Sequence, residues 1–264
     1  MLENPSTTTT IKKSTIVGLS GCSSSGKTTL ARLLRSIFPS ILIIHEDDFY
    51  YPEEKIPVDA ATGLLDWDCA GSLDIEGIVR ALEWIHEKGE LPEWLESKED
   101  RNSAGEHGVP ESVVQELSQG IRDWWERGGG KEVLNDQKKL VILDGFLLFG
   151  ERIRSVREAL DLKIMLRARF ETAKQRREAR SGYVTLEGFW EDPPGYVEKI
   201  VWPNYVKYHA FLFEDGDVEG NIKGEVVDEL GIVVCPGQGE WSMERVLVWA
   251  VEVIKDSLNS TKIQ

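Results

Sequence analysis

Apolar positions fall into five short unbroken runs, separated by polar turns and helical periods. Thr15–Leu19 leads into glycine and serine, and Ile41–Ile44 into His45-Glu46-Asp47-Asp48. Leu140–Leu143 leads into Asp144-Gly145, Leu162–Leu166 into an arginine-rich stretch, and Ile232–Cys235 into Pro236-Gly237. Such runs without alternation predict strands buried on both faces, as in a parallel sheet. Between them, Leu30, Leu33, Leu34 and Ile37 form one helical stripe, and Ile75, Ile78, Val79, Leu82 and Ile85 a second. Val246, Leu247, Ala250, Val251, Ile254 and Leu258 form the last. The alternation predicts an α/β fold: an open, mainly parallel sheet flanked by helices.

Residues 86–139 break this rhythm, with 13 acidic and 8 basic residues and no visible strand. They read as a partly helical surface insertion, docked onto the core by Trp124-Trp125. The expected organisation is a loose polar tail (1–14), a single domain over 15–258 and a short C-terminal tail (259–264). Glu214–Glu229, with seven carboxylates and one lysine, reads as a solvated face without chemistry.

Composition narrows the function classes. The 264 residues carry a formal charge of −15, so neither a nucleic-acid nor an anionic-membrane partner is expected. No apolar run approaches the ~18 residues of a membrane span, and the N-terminal residues lack the pattern of a secretory signal. Three widely spaced cysteines, Cys22, Cys69 and Cys235, suggest a reducing, cytoplasmic setting without a disulfide framework.

The chemistry begins at Gly21-Cys22-Ser23-Ser24-Ser25-Gly26-Lys27-Thr28, which matches G-x-x-x-x-G-K-[ST] between a predicted strand and a predicted helix. The glycines let backbone N–H groups converge on phosphate oxygens, and the helix start adds its dipole. Lys27 would supply fixed charge to the β/γ-phosphates and Thr28 a hydroxyl to Mg²⁺. Thr29 would add a phosphate contact, and Cys22 reads as a neutral filler. Ligands bind at the carboxyl ends of strands in open α/β sheets, where two acidic sites stand. Asp144 has the shape of a second Mg²⁺ site, and Asp47 or Asp48 could take a proton from an attacking hydroxyl. Arg176 and Arg180, four apart within an arginine-rich helical stretch, share the face of a lid that would close on transferring phosphates (170–195).

Further blocks follow in order. They are Glu46-Asp47-Asp48-Phe49-Tyr50, Gly63-Leu64-Leu65-Asp66-Trp67-Asp68, and Asp144-Gly145-Phe146-Leu147-Leu148-Phe149. Then come Lys174–Tyr183, Pro194-Gly195-Tyr196, and the run from Val201-Trp202-Pro203-Asn204 through Tyr205-Val206-Lys207-Tyr208. Together these resemble the nicotinamide riboside kinases, a branch of the uridine-kinase-like phosphate-loop kinases, over about residues 15–83 and 140–213. The resemblance implies a P-loop kinase fold, with ATP and Mg²⁺ used to phosphorylate the 5′-hydroxyl of nicotinamide riboside or nicotinic acid riboside. By motif position it implies Asp47 as base and Asp68 with Arg177 on the ribose diol. Trp67 and Tyr183 would flank the pyridine ring, a cationic π-system suited to such a site.

The chain also departs from the family pattern. Asp144 stands where glutamate is usual, which favours a water-mediated metal contact, and Trp67 stands where tyrosine is common. One extra residue separates Arg180 from Tyr183. A uridine or cytidine kinase is the nearest alternative. A GTP-binding switch would carry an N-K-x-D element, which does not occur here.

Overall fold

A computed structural model of the chain describes residues 12–97, 107–127, 129–134, 138–179, 183–185 and 188–260. Each apolar run is a strand. In chain order the strands are β1 (Ser14–Ser20), β2 (Leu42–His45), β3 (Lys139–Gly145), β4 (Leu162–Met165), β5 (Tyr183–Thr185), β6 (Gly188–Trp190) and β7 (Ile232–Val234). Five of them form an all-parallel sheet in the order β2-β3-β1-β4-β7, while β5 and β6 pair antiparallel as a separate hairpin.

Three predicted stripes become α1 (Lys27–Ile37), α2 (Ile75–Lys88) and the C-terminal helix. Between α2 and the C-terminus lie α3 (Glu111–Arg127), α4 (Gly130–Val133), α5 (Arg154–Glu158), α6 (Phe170–Glu178), α7 (Trp202–His209) and α8 (Gly224–Leu230). The C-terminal helix is α9 (Met243–Ser260). Asp74 caps α2, its side chain accepting the Gly77 N–H at 2.9 Å, and Gly89 ends the helix in the left-handed region at φ 74°.

The pleat sends alternate residues to opposite faces, and both faces are covered. Ile16, Val141 and Leu143 pack with Ile78, Leu82 and Ile85 of α2. Val17, Leu19 and Ile142 pack with Leu30 and Leu34 of α1 and with Leu247 and Ile254 of α9. That two-sided burial is why the strands read as unbroken apolar runs.

Helix α3 buries Val114 and Ile121 in the α1/α9 layer. Trp124 donates its indole N–H to Asn259 Oδ1 on α9 at 3.1 Å, whereas Trp125 donates to the Leu134 carbonyl at 3.0 Å. The indole of the first tryptophan thus bonds across to α9, and that of the second to the end of α4.

The Glu214–Glu229 stretch does more than face solvent. Its backbone carbonyls at Val218 and Gly220 accept from Arg167, and Glu219 Oε1 accepts the Phe170 N–H at 3.1 Å, seating the start of α6. Cys22, Cys69 and Cys235 are buried and free. Among the described residues, no helix is long and apolar enough to cross a membrane.

Candidate active site

Strand register assembles the site. β1 pairs with β3 so that Leu19 lies opposite Asp144 and Ser20 opposite Gly145, and β2 pairs so that His45 also lies opposite Asp144. Three strand ends thus stop level at the carboxyl edge, which is where ligands bind in such sheets.

From β1 the chain turns through residues 21–26 into α1. A Cβ on Gly21, at φ 151°, would strike the Leu166 carbonyl oxygen, so only glycine lets the loop pass β4 this closely. Gly26 forms the left-handed N-cap of α1. The buried Lys27 folds back over the loop, its Nζ donating to the Cys22 carbonyl at 3.0 Å. Ser20, Ser24 and Ser25 each hold a buried hydroxyl oxygen without a hydrogen-bond partner. Buried hydroxyls are normally satisfied, so three beside a helix N-terminus and a lysine make a ready cradle for an anion. Thr29 sits half-buried in the first turn of α1. Burial pushes the Cys22 thiol up to about 11 despite the nearby Lys27 charge, which favours its neutral form.

Asp144 is buried at the centre. Its Oδ2 accepts from Thr28 Oγ1 at 2.6 Å, and His45 Nδ1 lies 3.3 Å from the same oxygen. Burial alone would raise the Asp144 carboxyl. The His45 hydrogen bond, the Lys27 charge and the Thr28 hydroxyl outweigh it and hold the group below the usual aspartate value. The result is an anionic oxygen beside a hydroxyl, a hard donor pair suited to Mg²⁺, which commonly takes one or two protein oxygens and completes its shell with phosphates and water. No cluster of three or more His, Cys, Asp or Glu side chains that could hold a metal ion occurs among the described residues.

The two carboxylates after β2 part company. Glu46 has no exposed surface, and its Oε2 accepts the N–H groups of Phe146 and Leu147 at 2.6 and 3.1 Å, tying the end of β2 to the turn after β3. A Cβ on Gly145 would meet that same oxygen at 2.6 Å, which accounts for the glycine. Asp47 remains exposed in the cleft although protein crowds it. That crowding, and then the Asp144 charge, push its carboxyl above the usual aspartate range against the pull of Lys27. Asp48 stands half-buried beside it.

Opposite the loop, residues 65–70 turn so that Trp67 and Asp68 occupy successive turn positions. Side chains from later in the chain clamp this segment. Tyr196 Oη accepts the Trp67 N–H at 3.1 Å and donates to the Leu65 carbonyl at 2.9 Å. Asn204 donates to Asp66 Oδ1 at 2.8 Å, and Tyr208 Oη accepts the Ala70 N–H at 3.3 Å.

Trp67 is only 8% exposed, packed edge-on to Tyr50 (centroids 5.2 Å, 87°) and tilted against Trp190 (5.6 Å). Asp68 Oδ1 lies 3.4 Å from a terminal guanidinium nitrogen of Arg177, which also donates to Ser23 Oγ at 2.7 Å. Arg177 thus links the phosphate loop to the Trp67-Asp68 turn. Burial raises the Asp68 carboxyl, with Arg177 opposing.

The arginine stretch divides its labour. Arg176 reaches the Ser24 carbonyl at 3.4 Å, whereas Arg169 pairs with Glu240 and Lys174 with Glu198. Arg180 lies outside the described residues. Tyr183 begins β5, its backbone paired with Trp190. His45, Glu46, Asp192, Tyr196 and Asn204 all shape this site without having been singled out as site residues from sequence. Glu46 and His45 carried a usable signal, since they too end an apolar run. Asn204 stood inside a family block without a role of its own, and Asp192 carried no signal, because their partners lie far away in the chain.

The fission yeast nicotinamide riboside kinase (Schizosaccharomyces pombe) is 41% identical over 247 residues, spanning 94% of this chain and 99% of that protein. The chain belongs to the nicotinamide riboside kinase family. The nicotinamide riboside kinase of Saccharomyces cerevisiae is 39% identical over 80% of this chain and 84% of its own length. Human nicotinamide riboside kinase 2 is 31% identical over 76% and 70%. Family membership makes the chain a phosphotransferase acting on a hydroxyl group, and the fission yeast match extends well beyond the blocks that first carried the resemblance. No protein-family model matches the chain. Among solved structures, a possible uridine kinase from Bacillus stearothermophilus has a TM-score of 0.42 at 16% identity, covering 79% of this chain and 86% of its own. That likeness is too distant to add to the sheet order described above.

Proposed function

We propose that this kinase transfers the γ-phosphoryl group of ATP to the 5′-hydroxyl of nicotinamide riboside, and of nicotinic acid riboside, giving mononucleotides for NAD synthesis. The observation that carries this reading is the meeting of two half-sites through Arg177. On one side stand Lys27, Thr28, Asp144 and Asp47 at the strand ends; on the other stands the Trp67-Asp68 turn.

In this reading the backbone of residues 21–28 and the seryl hydroxyls bind the phosphates of ATP. Lys27 offsets charge on the β- and γ-phosphoryl oxygens, where electrostatic stabilisation counts most. Thr28 and Asp144 are the residues that would hold Mg²⁺, which when bound neutralises phosphate charge. Asp47 accepts the proton of the 5′-hydroxyl as it attacks, a role its raised proton affinity suits. Asp68 and Arg177 bracket the ribose 2′- and 3′-hydroxyls, while Trp67 offers an aromatic face to the pyridinium ring. Arg176, Arg180 and Tyr183 belong to a lid over 170–195 that shields the transfer from water. Three free thiols suit a reducing compartment such as the cytoplasm.

The test is ADP release with nicotinamide riboside, nicotinic acid riboside, uridine and cytidine side by side. The expected result is a kcat/KM for the pyridine ribosides at least tenfold above that for the pyrimidine nucleosides. Preference for uridine or cytidine would replace this reading with the pyrimidine kinase one.

A further inference from the structure

Asp192 organises the space between the aromatic cluster and the phosphate loop. Its carboxylate takes Arg177 in bidentate fashion, Nε to Oδ2 at 2.6 Å and a terminal nitrogen to Oδ1 at 3.1 Å. Oδ1 also accepts the Trp190 indole N–H at 3.0 Å, and Trp190 packs on Trp67. A guanidinium is planar and rigid, so fixing two of its nitrogens fixes the direction of the third. That third nitrogen is the one 2.7 Å from Ser23 Oγ and 3.4 Å from Asp68 Oδ1.

The pair is also largely withdrawn from water, the side chains of Arg177 and Asp192 being 8% and 18% exposed. Their charges therefore act on nearby groups with little screening. With Asp192 in place, the guanidinium charge beside the Trp67 wall is matched at contact distance. Without it, the same region turns more positive.

We propose that Asp192 is a positioning residue for Arg177 that also sets the ring-charge preference of the riboside site, favouring a cationic pyridinium over a ring that carries its own carboxylate. This rests on the pyridine-riboside reading above. Nicotinamide riboside bears a positive ring. Nicotinic acid riboside bears the same ring with a carboxylate, so the two substrates differ in charge while sharing ribose and 5′-hydroxyl.

The experiment measures steady-state kinetics of the full chain on both ribosides for wild type, Asp192→Asn and Asp192→Glu, alongside thermal melts. For Asp192→Asn, kcat/KM for nicotinamide riboside should fall about tenfold, mostly through KM, as expected for a poorly screened unit charge. Nicotinic acid riboside should lose less, shifting the ratio at least threefold in its favour. Asp192→Glu, which keeps the charge, should restore the wild-type ratio even if KM stays raised.

Equal losses on both substrates, or no change, would overturn the proposal. If Asp192→Asn melts below the assay temperature, Asp192→Glu alone decides: a shifted ratio in that variant is equally fatal. Wild-type protein that phosphorylates uridine and neither pyridine riboside would instead sink the functional reading, and this proposal with it.

Discussion

Glu46→Gln is expected to stabilise the protein at neutral and alkaline pH and to leave it nearly unchanged in acid. Glu46 is fully buried; one carboxyl oxygen accepts two backbone N–H groups and the other has no hydrogen-bond partner. Burial pushes its carboxyl from 4.5 up to about 8, and the Phe146 and Leu147 amides recover only part of that rise. Below pH 4.5 the folded and unfolded chains both carry the proton, and stability is at its full value. As pH climbs, the unfolded chain releases the proton while the folded one keeps it, so the native state loses ground until the folded group also titrates.

Each pH unit in that window removes about 1.4 kcal/mol. The loss is then about 3 kcal/mol at pH 7 and levels off near 5 kcal/mol above pH 8. Glutamine keeps an acceptor for both amides and never ionises, so it escapes this loss. Urea melts of both proteins at pH 5, 7 and 8.5 read the effect as a difference, in which titrating groups that do not interact with Glu46 cancel. A stability difference that does not grow with pH would refute the reasoning. So would a Glu46→Gln variant that becomes progressively worse than wild type, which would mean that the amides hold the carboxylate charged.

Three further outcomes follow from the site. Asp47→Asn should lower kcat by about 10²–10⁴ with riboside binding largely kept. Wild-type kcat/KM should fall in acid at a pH above the ordinary aspartate range, because the base must be unprotonated to act; a wild-type rate in the variant would remove Asp47 from the base role. Asp144→Ala should raise the Mg²⁺ concentration needed for half-maximal rate while leaving riboside affinity within a factor of about three, and an unchanged Mg²⁺ requirement would end its metal assignment. Trp67→Ala removes a ring packed on Tyr50 and Trp190, so melting temperature should drop together with riboside affinity, the latter by about 1–3 kcal/mol. Trp67→Phe keeps the packing, and unchanged affinity in both variants would leave Trp67 as a core residue only.

Much of the architecture was legible along the chain because it depends on short-range rules. Five apolar runs marked five strands buried on both faces, and three stripes marked α1, α2 and α9, since pleat and helical period are local geometry. The phosphate loop was legible for the same reason: strand, glycines, lysine and hydroxyl lie within fifteen residues. Tertiary structure decided what depends on register and on distant partners. Nothing local says that His45 and Leu19 both lie opposite Asp144, or that Glu46, adjacent to a candidate base, is spent on amides a hundred residues away. The clamp of Tyr196 and Asn204 on the Trp67-Asp68 turn and the grip of Asp192 on Arg177 are of this kind. Side-chain direction at a strand end is set by the neighbours it meets in space, and a one-dimensional pattern holds no record of them.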